Sequence, residues 1–483
     1  MVRYTSCERC LEDGPGLCPA CEAEPSGAYL PPGTRRRRGP LLAATLALGL
    51  CVFLGGFAGG AEARPSKPLA AGLADAFRVD VSEVDVTYDF WPSRPRVEGS
   101  VTLRFRMRPG QSRPLFHFNP LRRGREPERG MLTSLELDGR RLDPTRDKDL
   151  RRITPARGAE PAYEIQRRLG GGGHTLRVEW SMPKPIPPPN PEWFYANFDD
   201  TEGPNDETET LWPTVSSPED LIRHRIRLRV HSASPYTALG SGSVRRAPGD
   251  AGVQAWEVDP GRRVSSSTVF FAAVPSDRFS TDSFHAGGVD VKIVSNRGSG
   301  ANRRAGEITR KAISRLENDF GPFPVRRMQI LLTRWKSGME YYGATRTGLG
   351  ALEHELGHMY FGVTAVNRTW RDTWFDESAV VWWEDHARLN PVGPNFRSSI
   401  GAGRPPAAPG FDESAYGDGA RVLEAISRAM GGDRKMMAFL ADLHSRREFQ
   451  PFTTDAFIDD VVVAQDEIGR KQLERWLLSS GRN

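Results

Sequence analysis

The sequence predicts an α+β fold: a β-rich N-terminal domain, then a mixed domain of helices and short strands, preceded by a single transmembrane helix and a small cysteine-bearing segment. Three observations carry this. Apolar and polar residues alternate with period two through much of residues 77–285. Helical spacing replaces that alternation near residue 300. Residues 41–61 form a run of 21 positions without a charge.

The N-terminal segment comes first. All five cysteines fall within the first 51 of 483 residues, and Cys7-x-x-Cys10 and Cys18-x-x-Cys21 form two knuckles seven residues apart. Four thiolates at this spacing are the ligand set of a small structural zinc ribbon over residues 1–30, with redox-active or idle cysteines as the other reading. Residues 31–40 are a basic linker containing Arg35-Arg36-Arg37-Arg38. The uncharged run that follows would span about 31 Å as a helix, the thickness of a bilayer core. Arginines directly before it hold the N-terminus in the cytoplasm and send the rest outward, single-pass. A cleaved signal peptide ending near Ala61-Glu62-Ala63 is the rival, but 40 residues ahead of the apolar run is long for such a peptide. A reducing cytoplasm also suits a thiolate zinc site, so both signals give the same topology. Such a short ribbon suits an unidentified cytoplasmic protein partner better than chemistry. Residues 62–76, rich in Ala, Pro and Gly, read as a stalk.

In residues 77–285, Val84, Val86, Tyr88 and Phe90 alternate with polar neighbours, as do Val101, Leu103, Phe105 and Met107 and then Ile226, Leu228 and Val230. This pattern predicts half-buried antiparallel sheet whose arginines form a solvated face. Six prolines between residues 183 and 191 mark a loop, and residues 269–274 read as a buried strand. Residues 286–483 form the second domain. Ala305, Ile308, Ala312, Leu316 and Phe320 recur at helical spacing until Gly321-Pro322, and a buried strand is expected near residues 328–333. Helices are expected over residues 350–361, around Glu377, and through most of residues 419–480. The net charge of +5 includes the four arginines of the linker, so nothing points to a nucleic-acid partner.

His354-Glu355-Leu356-Gly357-His358 carries the chemistry. Residues four apart on a helix emerge on one face, so the two imidazoles can hold one Zn2+. Glu355 between them is then placed as general base towards water. Catalytic zinc takes three protein ligands, and Glu377, nineteen residues after His358 in Trp374-Phe375-Asp376-Glu377, supplies the third. Glu384 lies seven residues further on the same helical face, where it can orient a ligand histidine or remain exposed. His386 and His444 read as surface residues.

At these residues the chain resembles the gluzincin metallopeptidases typified by aminopeptidase N and leukotriene hydrolase. Phe320-Gly321-Pro322-Phe323-Pro324 and Ser337-Gly338-Met339-Glu340-Tyr341 stand where that family has a similar turn and its Gly-Ala-Met-Glu-Asn strand. Tyr416-Gly417-Asp418-Gly419 stands in place of its Tyr-x-Lys-Gly segment. The resemblance implies a saddle-like β-rich domain followed by a thermolysin-like zinc peptidase domain, with the site facing the groove between them. It implies peptide substrates held by Gly338, Met339 and Glu340, the last gripping a free α-amine, and Tyr416 as oxyanion donor. Tyr341 for Asn and Asp418 for Lys are departures. The family's roofing helical domain is not expected before Asn483, which predicts an open groove. An anchored aminopeptidase is the leading expectation; an endopeptidase and a non-catalytic peptide sensor signalling through the ribbon are the rivals.

Overall fold

Alternation along the chain becomes alternation in burial. The computed structural model describes residues 78–94, 96–117, 132–153, 162–183, 194–197, 219–334, 336–402 and 413–479. The ribbon, linker, expected membrane helix and stalk lie outside these residues. No helix among the described residues is long and apolar enough to cross a membrane.

Strand β1 (Val79–Phe90) buries Val79, Val81, Val84, Val86, Tyr88 and Phe90. A register shift between Val81 and Glu83 against β2 (Arg96–Met107) keeps both halves of that series on the core side. Seven further strands extend the sheet: β4 (Leu132–Leu137), β5 (Arg140–Leu142), β8 (Gly173–Pro183), β10 (Leu221–His231), β12 (Ser243–Ala247), β13 (Val253–Asp259) and β14 (Arg263–Ser265). Their order is β12-β13-β10-β1-β2-β8-β4-β5, with β14 added to β10, and only β1 and β10 run parallel. The arginines of its outer face are paired, as Arg104 is with Glu83 at 2.7 Å and Asp85 at 2.8 Å. Exposed pairs of this kind contribute about 0–1 kcal/mol each and solvate the face. Small sheets β3-β7-β6 (Leu115–His117, Ala162–Ile165, Leu150–Ile153) and β11-β15-β9 (Tyr236–Gly240, Phe270–Pro275, Phe194–Asn197) complete the domain. Every residue of β15 is buried, as its unbroken apolar run requires.

The second domain is built on a five-stranded sheet ordered β16-β17-β18-β20-β19 (Ser280–Ala286, Val289–Ser295, Arg327–Leu332, Ala344–Thr347, Gly338–Tyr341). β16 pairs with β17 along its whole length, so this sheet begins at Ser280, a few residues before the expected domain boundary at 286. β17, β18 and β20 are parallel, whereas edge strand β19 runs antiparallel to β20. Helix α1 (Ser299–Phe320) packs on the sheet through Ala305, Ala312, Ile313, Leu316 and Phe320, while Ile308 is only partly buried. The remaining elements are α2 (Leu352–Gly357), α3 (Trp374–Asp385), a π turn (Ala415–Gly419) and four helices: α4 (Ala420–Ala429), α5 (Asp433–Arg447), α6 (Thr454–Ala464) and α7 (Arg470–Leu477). The α2 helix is shorter than the expected 350–361. Beyond Gly357 the chain tightens into turns, with Met359 N–H bonded to Leu356 O and Tyr360 N–H to Gly357 O.

Polar bonds join the two domains behind the five-stranded sheet. Gln329 donates to the carbonyls of Gly240 (2.8 Å) and Gly242 (3.1 Å), Lys292 to that of Ala238 (3.1 Å), and Tyr342 N–H to that of Thr268 (2.9 Å). Tyr341 is fully buried and stacks on Phe270 at 4.7 Å. Since successive strand residues face opposite ways, this puts Tyr341 in the inter-domain core and not beside Glu340.

His444 is not a surface residue. It is buried on α5 with its Nε2 2.9 Å from Thr364 Oγ1 and its ring against Tyr360 and Phe361, because α5 packs on α1 through the buried Met436, Phe439, Leu440 and Leu443 on the turns before it. His224, fully buried on β10, donates from Nδ1 to Ile222 O and meets Ser266 Oγ with Nε2. Burial pushes both imidazoles down to about 4. Unfolded histidines take protons near pH 6.5 while these stay neutral, so their contribution is intact above that pH and is lost as pH falls towards about 4. The loss is on the order of 2–3 kcal/mol for each. The melting temperature should therefore drop between pH 7 and pH 4.5, and less steeply in His444→Gln; equal slopes for the two proteins would refute this assignment.

Candidate metal centre and active site

Two helices and one edge strand converge on the site. His354 and His358 project from α2 and its final turn, Glu377 from α3, and Glu340 from β19. His354 Nε2 lies 3.1 Å from His358 Nε2 and 3.1 Å from Glu377 Oε2, and the third edge of the triangle is 3.4 Å. Tetrahedral zinc with bonds near 2.0–2.1 Å separates its ligand atoms by about 3.3 Å, so the triangle has the right size.

The outer nitrogens fix the tautomers. His358 Nδ1 lies 3.1 Å from the carbonyl of Phe361, and His354 Nδ1 lies 2.9 Å from Glu384 Oε2. Both oxygens can only accept, so each Nδ1 carries the proton and each Nε2 turns a lone pair inward. Two lone pairs facing each other at 3.1 Å need a cation between them. Without one, protons take its place. Burial alone would lower both imidazoles, yet Glu384 and Glu377 hold His354 well above its ordinary value, and Glu340 and Glu377 push His358 up to about 10. Burial would raise Glu377, but His358 and His354 outweigh it and hold the carboxyl below its usual range.

Glu355 points from α2 into the same space. Burial first, then the carboxylates of Glu340 and Glu377, push it up to about 8 against the pull of His354 and His358. Its Oε2 is buried and has no hydrogen-bond partner among the described residues, as expected of an oxygen whose partner is a water or substrate atom. Carboxylate oxygens of Glu340 and Glu355 and a ring nitrogen of His358 all lie within 4.8 Å of one another. Burial likewise raises Glu340, partly offset by His358. Gly338 lets the strand pass close above the base: a Cβ there would sit 2.3 Å from Glu355 Oε1. Met339 lies on the opposite strand face, against the core shared with Tyr341. Tyr416 sits on the π turn with its ring centroid 6.1 Å from that of His354.

The structure thus gathers His354, His358, Glu377, Glu355, Glu340, Gly338 and Tyr416 around one space, with Glu384 behind His354. Glu384 is the outer partner that its spacing allowed. His386 stays away from the site, its Nδ1 against the carbonyls of Trp382 and Trp383. Sequence reasoning missed the carbonyl of Phe361, which carries no side-chain signal. It also missed Asp376, half-buried beside Glu377, bonded by Asn367 Nδ2 at 2.9 Å and accepting Glu377 N–H at 2.8 Å. An acidic residue directly before a ligand was its only trace.

Removing the outer partner of a ligand histidine costs metal affinity about 10- to 100-fold. Glu384→Ala should weaken zinc binding by that order in chelator competition, leaving one ion bound at saturation. Unchanged affinity would mean that Glu384 does not orient His354.

No family profile and no curated protein matches this chain. Solved structures do. The M1 zinc metallopeptidase of Deinococcus radiodurans superposes with a TM-score of 0.60 at 20% identity, over 83% of this chain and 94% of that one. Legionella pneumophila aminopeptidase A gives 0.64 at 13% identity, over 84% and 50%. Yeast LTA4 hydrolase gives 0.61 at 14% identity, over 84% and 69%. The described residues therefore have the fold of the M1 zinc metallopeptidases.

Proposed function

We propose that this chain is a zinc-dependent peptidase, and that it removes N-terminal residues from peptides. The observation that carries the first part is the triangle of His354, His358 and Glu377 with its fixed tautomers. A zinc ion bound there would supply a Lewis acid that polarises a scissile carbonyl and lowers the pKa of water towards 7. Glu355 takes the proton of the attacking water and returns it to the departing amine. Tyr416 donates a hydrogen bond to the oxygen that gains negative charge.

Charge balance supports the aminopeptidase part. Glu340, Glu355 and Glu377 crowd three carboxyl groups around His354 and His358, and ionised beside neutral histidines they would carry three negative charges. A divalent metal offsets two, and the ammonium of a peptide N-terminus offsets the third. Glu340 is the carboxylate left for it, at the edge strand along which a peptide can lie. A mutant of the Deinococcus radiodurans M1 zinc metallopeptidase has been crystallised bound to a Tyr-Ser-Ala substrate.

The proposal extends to residues outside the described set. Residues 41–61 anchor the chain in the cell membrane once, residues 1–40 lie in the cytoplasm, and the catalytic part lies outside. Cys7, Cys10, Cys18 and Cys21 hold a second, structural zinc in a ribbon that docks an unidentified cytoplasmic protein.

Two experiments test the proposal. Stranding a substrate ammonium costs about 2–4 kcal/mol, or roughly 30- to 1,000-fold in kcat/KM. Glu340→Ala should lower hydrolysis of a free-amine dipeptide amide by that order while leaving its N-acetylated twin no worse. Equal losses on both would assign Glu340 to the metal centre or the fold, and efficient cleavage of blocked peptides by the unmutated chain would make it an endopeptidase. Protease added to intact cells should cut the large domain and spare the cysteine segment; the reverse pattern would overturn the topology.

A further inference from the structure

We infer that Ser378 is a positioning residue for Tyr416, setting the oxyanion donor in register with the metal ligand Glu377; this rests on the peptidase reading above. Ser378 directly follows Glu377 on α3 and is fully buried. Its hydroxyl lies 2.6 Å from the carbonyl of Trp374 and 2.9 Å from that of Ala415. Both are acceptors, so the hydroxyl donates and its hydrogen is shared. The first bond is the intrahelical one that satisfies most buried helix serines. The second crosses to the turn that carries Tyr416.

That turn has π geometry. Ala415 O accepts the N–H of Ala420, five residues on, together with the Ser378 hydroxyl. A π turn holds one residue more than an α turn, and one residue is worth about 100° of rotation around a helix axis. Were α4 to continue backwards as a regular helix, Tyr416 would point about 100° away from its present direction. Gly419 closes the arrangement from the other side. A Cβ on it would lie 2.0 Å from Ser378 Oγ and 3.1 Å from Ser378 Cβ, so the turn can seat on α3 only with glycine there. Ser378 and Gly419 thus form a tight contact, one residue from the metal ligand and three from the tyrosine. It fixes the distance between them without touching either group's chemistry.

A misplacement of about 1 Å at a reacting group costs on the order of 100-fold in rate. In the full-length chain, Ser378→Ala should keep the zinc content of the parent, lower kcat at least about tenfold, and change KM less than about twofold. In a Tyr416→Phe background the same substitution should cost less than about twofold, because the group it positions is already gone. Gly419→Ala, which presses on the contact from the turn, should give the same pattern. A readout without turnover is the 19F resonance of 3-fluorotyrosine placed at position 416, which should shift or broaden in Ser378→Ala. Equal losses in both backgrounds, no loss, an unmoved resonance or loss of zinc would each overturn the inference. If Tyr416→Phe itself left the rate unchanged, the oxyanion role given to Tyr416 in the proposed function would fail instead, and the 19F measurement would still report whether Ser378 holds the ring.

Discussion

Everything at the site depends on where the Nδ1 protons of two histidines go. The Phe361 carbonyl and the Glu384 carboxylate accept hydrogen bonds from them, and that choice turns two basic nitrogens towards each other across 3.1 Å. Such a pair is unfavourable until a cation fills the gap. Glu377 completes the ligand set, and Glu355 and Glu340 add charge that only a cation-rich occupant offsets. Burial magnifies each of these effects, since the low local dielectric both strengthens the pairing and penalises any group left alone.

The scaffold meets that constraint with ordinary means. Parallel strands β17, β18 and β20 make a rigid platform, and antiparallel β19 returns along its edge to carry Glu340 over the metal ligands. Strand alternation then does two jobs at once. Glu340 and Gly338 face the site, while Met339 and Tyr341 face the N-terminal domain. The β-rich domain therefore braces the strand that carries Glu340 from behind, through Tyr341 on Phe270 and the Tyr342 N–H on Thr268 O. A tyrosine in place of asparagine at 341 is a packing choice in this chain.

The triangle of His354, His358 and Glu377 was legible because its chemistry lies in spacing: four residues on one helix, then a glutamate in an aromatic helix start. Glu384 was legible as one of two readings, since seven residues fix a helical face but not what stands opposite. The strands of residues 79–107 were legible from alternation, although the register shift at Val81/Glu83 was not. What escaped was decided by tertiary neighbours. His444 looks like a polar residue near a helix end until Thr364 appears beside it. Ser378 looks like a small helix residue until the π turn packs on it. Neither neighbour is close in sequence, so no local pattern could announce them.

The central claim is that His354, His358 and Glu377 hold a zinc ion, and diffraction from crystals of the zinc-loaded chain on either side of the zinc absorption edge tests it most directly. The account predicts an anomalous peak bonded to both Nε2 atoms and to a Glu377 carboxylate oxygen, each at about 2.0–2.2 Å. A zinc-loaded crystal with no anomalous density between those three side chains would contradict it.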